Sequence, residues 1–419
     1  MGKIMLSTQD TAIIPREWYN VVPDLPKQLP PPVDRDEKNS SIQLLNQILP
    51  KTILKQEFTF QRYTKIPEEV QEIYAQIGRP TPLFRAHGLE KALDYHGKIL
   101  IKYEGATITG SHKINTAIPQ AFYARDEGST GVVTETGAGQ WGTATTVAAS
   151  LAGITSKIFM VKVSFNQKPL RKEIMELYGG EIVPSPSMET EFGRQLLAKV
   201  PEHPGTLGIA ISEAVEYALE HDLKYMLGSV FNSVLTHQSV IGLESEKQLE
   251  ILGEEPDVMI GCVGGGSNFG GFVFPLMKKF KETKIFASTA SEVPKFTKGE
   301  YKYDYVDTAK TLPSIKMYTL GSDFVPEKIY AGGLRYHGAA PSISMLVNSG
   351  RIKSSDMTED QVIDALKLFA RTQGIVAAPE SGHAIATAIE YVKANRDSKE
   401  TILVNVSGHG LLDMSIFQR

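Results

Sequence analysis

The stretch Asp257-Val-Met-Ile-Gly-Cys-Val-Gly-Gly-Gly-Ser-Asn-Phe-Gly-Gly271 decides the fold class. It begins as a short apolar run typical of a buried strand, and three glycines at 264–266 then lead into Ser267 and Asn268. Because glycines lack Cβ atoms, the backbone N–H groups of such a turn can surround an anion, and the following helix directs its N-terminus at the same point. A strand, a glycine turn and a helix in this order predict an α/β fold with a phosphate site.

Two alternatives to a phosphate site are a tight turn without a ligand and a nucleotide site. The glycine spacing matches neither a P-loop nor the G-x-G-x-x-G dinucleotide fingerprint, which argues against a nucleotide.

From residue 79 onward, short runs rich in β-branched residues alternate with helix-like stretches. This alternation predicts parallel sheets with helical crossovers, and 419 residues exceed what one ordinary core holds, so we expect two α/β domains. The strand-like runs are Lys98–Lys102, Gly131–Thr134, Lys157–Lys162, Asp257–Val263 and Thr401–Val406, and the helix-like stretches include Gly142–Leu151, Gln167–Tyr178 and Ser212–His221.

The first 65 residues differ from the rest. The prolines between Pro23 and Pro32 disfavour regular helix or sheet and favour an extended strap. Trp18 and Tyr19 would be left wet on a floppy tail, so we expect the strap to pack on the body or on a second subunit. Met1–Trp18 lacks the long apolar stretch of a secretory signal.

Composition excludes several classes of function. The net charge of -4 argues against nucleic-acid binding, and no window of about eighteen uncharged apolar residues predicts a membrane span. A single cysteine, Cys262, rules out a disulfide framework, favours the cytoplasm and is itself predicted to be a buried small hydrophobe. The nine histidines show no ligand-like pairing, so no metal site is expected.

A second glycine turn, Glu135-Thr-Gly-Ala-Gly-Gln-Trp-Gly142, follows the strand-like run that ends at Thr134. Its free N–H groups could hold another anion, such as a substrate carboxylate. Glu135 lies at the strand end, where a carboxyl can face the crevice as an acid or a base, and a solvated Glu is the alternative.

A third segment, Ser111-His-Lys-Ile-Asn115, precedes the apolar helix-like run Thr116–Ala124. A lysine attacks carbonyls only when burial or cationic neighbours lower its pKa, so a solvated Lys113 is the alternative to a catalytic one. A cation at a helix N-terminus is electrostatically unfavourable, which indicates a special reason for this lysine.

Together these segments resemble the tryptophan synthase β family, a group of pyridoxal-phosphate enzymes. The resemblance covers about the last 340 residues well and the N-terminal strap more loosely, and six motifs follow the family's order. The motifs are Gly78-Arg-Pro-Thr-Pro-Leu83, Gly110-Ser-His-Lys-Ile-Asn115, Glu135-Thr-Gly-Ala-Gly-Gln140, Gly264-Gly-Gly-Ser-Asn268, Glu380-Ser-Gly-His-Ala384 and Val406-Ser-Gly408.

The resemblance implies a role for each matching residue. Lys113 would form the Schiff base with pyridoxal phosphate and shuttle protons at the substrate Cα. Glu135 would assist loss of the β-leaving group and activate indole. Ser407 would hydrogen-bond the pyridine nitrogen, and Glu380 would lie along the ring edge. The cofactor phosphate would lie on Gly264, Gly265, Gly266, Ser267 and Asn268 near His112 and Thr206, and the amino-acid carboxylate on Thr136, Gly137, Ala138, Gly139 and Gln140.

The sequence resembles most the second class of these β chains, which generally work apart from a tight α-subunit complex. Its marks are the longer N-terminal segment, Lys102-Tyr-Glu-Gly105, Trp141 and the segment 208–214. Where the better-known class has an aspartate that orients the serine hydroxyl, this chain has Arg335. A guanidinium is a poor partner for a neutral hydroxyl but a good one for phosphate, so we hypothesise an O-phosphoserine donor recognised by Arg335, with His337 as a second candidate. The alternative is that Arg335 points into solvent or pairs with an acid elsewhere.

The resemblance also implies an architecture, the fold-type II arrangement of two interleaved α/β domains with parallel sheets and the cofactor between them. We expect an N-terminal extension over 1–65 and a domain over 66–225 that carries the lysine and the carboxylate turn. A second domain over 226–419 would carry the phosphate turn. A homodimer, absent or weak α-subunit association, and a monovalent cation near the cofactor are further expectations from the family.

The implied function is that of a lyase of tryptophan biosynthesis. L-serine or O-phospho-L-serine would undergo β-elimination to aminoacrylate, and addition of indole would then give L-tryptophan. Alternatives of the same fold are a serine or threonine deaminase, a threonine synthase and a cysteine synthase. Glu135 discriminates among them, since deamination needs no group that activates indole. A non-catalytic subunit derived from an enzyme is disfavoured by the presence of Lys113, the phosphate turn and Ser407.

Overall fold

Two sheets of mainly parallel strands organise the chain, and the computed structural model describes residues 12–34 and 41–418 of it. The strands are β1 (Glu17–Tyr19), β2 (Tyr63–Lys65), β3 (Leu83–Arg85), β4 (Lys98–Tyr103), β5 (Gly131–Thr136), β6 (Thr155–Val161), β7 (Gly180–Ser185), β8 (Lys224–Tyr225), β9 (Val258–Cys262), β10 (Lys284–Ala290), β11 (Glu300–Tyr305), β12 (Ser314–Thr319), β13 (Lys353–Met357) and β14 (Thr401–Val406).

Helices connect these strands, in agreement with the predicted alternation. The α-helices are Ser41–Ile48, Lys51–Glu57, Glu68–Gln76, His87–Leu93, Ile114–Asp126, Gln140–Ala152, Lys162–Gln167, Pro169–Leu177, Glu191–Lys199, Leu207–His221, Asn232–Gln238, Val240–Leu252, Ser267–Lys279, Pro341–Asn348, Glu359–Gln373 and Pro379–Ala394, and short 3-10 turns span Val22–Asp24, Glu104–Ala106, Gly332–Leu334 and Met414–Gln418.

The larger sheet has six strands in the order β13-β10-β9-β14-β4-β3, all parallel except β3. The smaller sheet has four parallel strands in the order β7-β6-β5-β8. Strands β3 and β4 therefore share a sheet with strands that follow residue 257. The strands that lie between β4 and residue 257 in the chain, β5 to β8, form the smaller sheet. The fold class is the predicted α/β architecture. The division into domains near residue 225 stays a prediction.

The N-terminal segment is more regular than predicted. Trp18 is fully buried, with its ring 4.5 Å from that of His237, and β1 pairs with β2. The expectation of no regular helix or sheet over 1–65 is wrong beyond the prolines, because they end at Pro32 and two helices follow, at Ser41–Ile48 and Lys51–Glu57. The prediction about a signal peptide in the first eighteen residues lies largely outside the described residues.

A buried ion network fixes the helix that carries the candidate lysine. The Arg79 guanidinium donates to the carboxylates of Glu104 and Glu244 at 2.9 and 2.8 Å, and all three side chains are fully buried. Asn115, two residues after Lys113, accepts from Arg79 at 2.7 Å and donates to Glu104 at 3.0 Å. Since breaking such a buried network leaves uncompensated charge, it holds the start of helix Ile114–Asp126 in one place.

Within residues 12–34 and 41–418, no helix has the length and apolar character that crossing a membrane requires. The same residues contain no group of three or more His, Cys, Asp or Glu side chains placed to hold a metal ion.

Candidate active site

A cavity lies where the carboxyl ends of β5, β9 and β14 approach one another, which is where parallel sheets bind ligands. Its empty volume, which includes space open to solvent, is about 750 Å³. All three predicted segments reach it. The predicted site residues that line it are His112, Lys113, Glu135, Thr136, Gly137, Ala138, Gln140, Gly264, Gly265, Gly266, Ser267, Asn268, Glu380 and Ser407.

Lys113 is the N-cap residue of helix Ile114–Asp126, and its side chain projects into the cavity. Its Nζ donates to the carbonyl of Gly228 at 2.6 Å and lies 5.7 Å from the centre of the Trp141 ring. Burial lowers the pKa of Lys113 to about 8, although the carboxylates of Glu135 and Glu380 oppose the shift. A larger fraction of this lysine is therefore neutral near pH 7 than for a solvated one, as nucleophilic attack on a carbonyl requires.

Glu135 is the penultimate residue of β5, and its carboxyl is buried at the cavity wall. Burial raises the pKa of Glu135 to about 7, against the lowering effects of hydrogen bonds from the Tyr225 and Thr134 hydroxyls. A carboxyl with this pKa is populated in both protonation states near neutrality, which suits a residue that must first give and then take a proton.

The Tyr225 hydroxyl donates a hydrogen bond to the Glu135 carboxyl. Removing this donor in Tyr225→Phe takes away a bond that favours the carboxylate, so the pKa of Glu135 should rise. We expect the acidic limb of the activity profile to move up by about one to two pH units, as a hydrogen bond to a charged group is worth about 1.5–3 kcal/mol and one pH unit about 1.4. Steady-state rates between pH 5.5 and 9 measure the shift.

The control for this substitution is Tyr95→Phe, which removes a hydroxyl that donates to the carbonyl of Glu400 away from the cavity. Its acidic limb should coincide with that of the unmodified protein. Coincident limbs for both variants would contradict a role of Tyr225 in setting the proton affinity of Glu135.

The turn at 264–266 forms an anion cradle with the N-terminus of helix Ser267–Lys279. Gly266 has φ +106°, a conformation that residues with side chains rarely adopt. A Cβ on Gly265 would lie 2.3 Å from the Ser229 hydroxyl oxygen, so only glycine fits. The backbone N–H groups thus face the cavity without a covering side chain, as phosphate binding requires.

Ser407 and Glu380 line another part of the cavity, directly after β14 and at the start of helix Pro379–Ala394, respectively. The Ser407 hydroxyl is 2.8 Å from that of Ser381, which itself accepts from the amide of Gly408 at 3.2 Å. One Glu380 oxygen accepts from the amide of Gly333 at 2.8 Å, and among the described residues the other, buried oxygen has no partner. Ser407 and this carboxyl oxygen are therefore free to meet a ligand.

Cys262 is buried, as predicted, but it also lines the cavity, 3.6 Å from the Ser407 hydroxyl. Burial raises the pKa of its thiol to about 12. His112 is neutral as well, because burial lowers its pKa to about 3, and its Nδ1 lies 3.2 Å from the carbonyl of Ser407. Neither side chain brings a charge to this wall.

The turn Thr136–Gln140 precedes helix Gln140–Ala152 and directs the helix N-terminus at the cavity. The Thr136 hydroxyl accepts from the amides of Gly139 and Gly142 at 3.2 and 3.1 Å and so shapes the turn. Gly139 has φ +92° and faces Arg171 rather than the cavity. Four of the five predicted residues of this turn thus line the cavity, with Gly139 as a backbone hinge.

Three other residues named as candidates from the sequence do not line the cavity. The Thr206 hydroxyl instead accepts from the amide of Ile209 as the N-cap of helix Leu207–His221. Arg335 follows the cavity-lining turn Gly332–Leu334, but its guanidinium donates to the carbonyl of Ile329 and to Ser164. His337 bonds Thr319 at 2.9 Å and is turned away.

Several lining residues were missed from the sequence, because most of them are glycines or apolar side chains without a chemical signature of their own. The only signal for two of them was the position after a short strand, where Gly228 and Ser229 follow β8. The missed residues are Trp141 as a wall of the site, Leu207, Gly228, Ser229, Gly332, Gly333, Leu334 and Tyr336.

The chemistry of this cavity fits pyridoxal phosphate. It combines a buried lysine with a lowered pKa, a glycine cradle for a phosphate and a serine hydroxyl beside an unpartnered carboxyl oxygen. Two helix N-termini add favourable dipoles for the phosphate and a carboxylate.

Comparisons with known proteins agree with this chemistry. A family model described as "Pyridoxal-phosphate dependent enzyme" matches residues 74–408. The "Tryptophan synthase beta chain" of Picrophilus torridus is 65% identical over all of both chains, and the "Tryptophan synthase beta chain 1" of Sulfurisphaera tokodaii is 57% identical over 97% of each.

Among solved structures, threonine deaminase isoform 2 from Solanum lycopersicum superposes with a TM-score of 0.63. That alignment covers 94% of this chain and 97% of the other at 19% identity, which shows a shared fold and no more. The full-length identities are what place the protein more narrowly. The chain belongs to the pyridoxal-phosphate dependent enzymes and, within them, to the family of the tryptophan synthase β chains.

Proposed function

We propose that this chain eliminates the β-substituent of a serine-type donor and adds indole at the same carbon to give L-tryptophan. The observation that carries the proposal is that Lys113 and Glu135 share one buried cavity with pKa values of about 8 and 7. A lysine whose pKa is lowered toward 7 and a glutamate whose pKa is raised toward 7 are suited to exchange protons with a substrate near pH 7.

Pyridoxal phosphate, when bound, supplies the electron sink that stabilises negative charge at the substrate Cα. The turn at 264–266 would hold its phosphate and Lys113 its aldehyde carbon. The Ser407 hydroxyl would donate to the ring nitrogen, since Ser381 accepts from an amide and can give its own proton to Ser407. A neutral partner of this kind leaves the ring nitrogen unprotonated.

Proton transfers are assigned to two residues of this chain. The Lys113 amine takes the proton from the substrate Cα and returns it at the end of the reaction. Glu135 in its protonated form assists departure of the β-substituent, and in its ionised form it accepts the proton that indole loses. The turn Thr136–Gln140 fixes the substrate carboxylate, and the buried walls exclude the water that would divert the reaction to deamination.

A mainly apolar cavity beside the first supports indole as the second substrate. Its empty volume is about 330 Å³, and it shares five lining residues with the larger cavity, namely Glu135, Leu207, Gly228, Ser229 and Tyr336. The remaining walls are mostly aliphatic or aromatic, which suits a flat bicyclic ring. The Glu135 carboxyl lines the same cavity and can interact with the N–H group of indole. The residues that complete these walls are Ile211, Tyr225, Leu227, Val230, Phe231, Val306 and Leu312.

We further propose O-phosphoserine as the preferred donor. Arg335 is partly buried, and burial lowers its pKa. In the described chain no carboxylate lies within 4.0 Å of its guanidinium, and its Nε has no partner. The charges of Glu380 and Glu359 oppose the lowering of its pKa from a greater distance. Two further cations lie nearby. Lys168 contacts the carbonyl of Tyr330, and both Lys168 and Arg171 form ion pairs with Asp413. A partly buried guanidinium held by the Ile329 carbonyl and the Ser164 hydroxyl, next to the cavity turn Gly332–Leu334, is suited to a phosphate.

The test supplies serine and O-phosphoserine in parallel with indole to the cofactor-loaded protein and measures tryptophan. We expect phosphoserine to be preferred, and Arg335→Ala to raise its KM by about 10- to 100-fold, since charge-assisted hydrogen bonds are worth about 1.5–3 kcal/mol. The KM for serine should change much less, because a neutral hydroxyl gains little from a guanidinium.

The matched control is Arg351→Ala, which removes a partly buried guanidinium that donates to the carbonyls of Thr283 and Lys281. It should leave the donor preference unchanged. Phosphoserine turnover that survives Arg335→Ala would refute the role of Arg335 while keeping the synthase. Release of pyruvate and ammonia with no tryptophan from either donor would favour a deaminase.

The proposal includes a homodimer in the cytoplasm with absent or weak association to an α subunit. The single cysteine is in keeping with a reducing compartment. Light scattering should give twice the mass of one chain, and addition of an α subunit should leave both that mass and the rate of the indole reaction unchanged.

A further inference from the structure

Lys295 is a buried cation that the mechanism above does not use. Its side chain is fully buried, five residues after β10, and its Nζ donates to the carbonyl of Gly264 at 2.8 Å. In the described chain no carboxylate oxygen lies within 4.0 Å of this ammonium. Burial lowers the pKa of Lys295 to about 7, with the more distant Asp356 opposing the shift. A buried ammonium without a counterion is costly, so the contact with Gly264 calls for an explanation.

Among the described titratable groups around Lys295, only Lys295 itself carries a positive charge. Asp356 accepts hydrogen bonds from Thr289 and Thr297. His337 is neutral, because burial and the charge of Lys295 lower its pKa to about 4, and Asp304 opposes that shift. The Gly264 carbonyl is thus the nearest strong acceptor for the ammonium.

Peptide geometry links this contact to the anion cradle. The peptide bond between Gly264 and Gly265 is trans. In a trans peptide the C=O of one residue and the N–H of the next point in opposite directions. Lys295 holds the Gly264 carbonyl on the side away from the cavity, so the N–H of Gly265 points toward it. In the described chain this N–H has no acceptor. An ammonium on the carbonyl also polarises the peptide and strengthens its N–H as a donor.

We propose that Lys295 is a positioning residue for the cofactor phosphate: its ammonium acts as a fixed monovalent cation on the Gly264 carbonyl and orients the anion-binding turn. This inference rests on the proposed placement of the phosphate on Gly264–Gly266. It implies that the turn needs no dissolved monovalent cation at this carbonyl.

The test titrates the apo protein with pyridoxal phosphate and, in parallel, with pyridoxal, which lacks the phosphate. Dissociation constants are read from absorbance and fluorescence at about pH 6, below the pKa of Lys295 so that its amine is mostly charged, and at constant ionic strength in tetramethylammonium, potassium or ammonium chloride. For the unmodified protein, the affinity for pyridoxal phosphate should differ by less than about two-fold among the salts, because the cation is built in.

Lys295→Ala should bind pyridoxal phosphate about 10- to 100-fold more weakly in tetramethylammonium chloride, the range expected for one lost charge-assisted hydrogen bond. Its affinity for pyridoxal should be nearly unchanged. Potassium or ammonium ions, which fit the space left by the side chain, should restore most of the loss. Lys295→Met, which fills that space without a charge, should show the same loss and no recovery, and it replaces the alanine variant if that one does not fold.

Each other result is decisive. Unchanged phosphate-ligand affinity in both variants overturns the proposal, as does an equal loss for pyridoxal and pyridoxal phosphate, which marks general unfolding of the site. A loss that no salt restores in Lys295→Ala overturns the fixed-cation role. Failure of the unmodified protein to bind pyridoxal phosphate overturns the proposed function itself, and is distinguishable because it appears before any substitution is made.

Discussion

Lys113→Ala is expected to lower tryptophan formation by at least about 1,000-fold. The substitution removes the amine that attacks the cofactor aldehyde and the base at the substrate Cα, and general acid–base catalysis alone contributes about 10²–10⁴-fold. No other lysine among the cavity-lining residues can replace it. The protein should still bind pyridoxal phosphate through the glycine turn, but without the absorbance band of a cofactor joined to a lysine.

The measurement pairs that spectrum with single-turnover tryptophan formation. Lys393→Ala is the control, because Lys393 is exposed and its contact with Glu390 is a surface ion pair. Such pairs contribute at most about 1 kcal/mol, so this variant should keep the rate and the spectrum of the unmodified protein. A Lys113→Ala protein with activity within about ten-fold of the unmodified one would remove the main support for the proposed mechanism.

The sequence was sufficient to predict that two separate glycine turns converge. Each of two turns, at 135–140 and 264–268, follows an apolar run, and the carboxyl ends of parallel strands meet at one edge. Their glycines were readable because anion binding requires a bare backbone. The segment that carries Lys113 could be placed only through family resemblance, because a helix-start lysine is ordinarily solvated.

Other features depend on contacts between residues that are far apart in the chain. The hydrogen bond from Tyr225 to Glu135 spans 90 positions, and the contact of Lys295 with Gly264 spans 31. Neither residue has a local pattern that announces its partner. Strand β13, Lys-Ser-Ser-Asp-Met, has little of the β-branched character of a strand and exists because it pairs with β10 at the sheet edge. Tertiary pairing overrode local preference there, which is why periodicity missed it.

Glu135→Gln is expected to lower the rate of tryptophan formation by about 10²–10⁴-fold, because an amide can neither protonate the leaving group nor take the indole proton. The loss should be larger with serine than with phosphoserine, since phosphate leaves with less need of a proton. In the unmodified protein the indole step should quicken as pH rises through about 7, the pKa of Glu135. That limb should be absent from the Gln variant, and its persistence would assign the proton transfer to another group.

Stability gives an independent check on the same carboxyl. Because burial raises the pKa of Glu135 from 4.5 to about 7, the folded state favours the protonated form. That contribution is fully present below about pH 4.5 and is lost as pH rises through 7. A neutral Gln escapes the loss, so the variant should be more stable than the unmodified protein at pH 8, by about 1–3 kcal/mol, and the difference should shrink toward pH 5. Denaturant midpoints of both proteins at the two pH values measure this difference. If the advantage of the variant over the unmodified protein were smaller at pH 8 than at pH 5, the carboxyl would be ionised without cost. It could then not act as the acid.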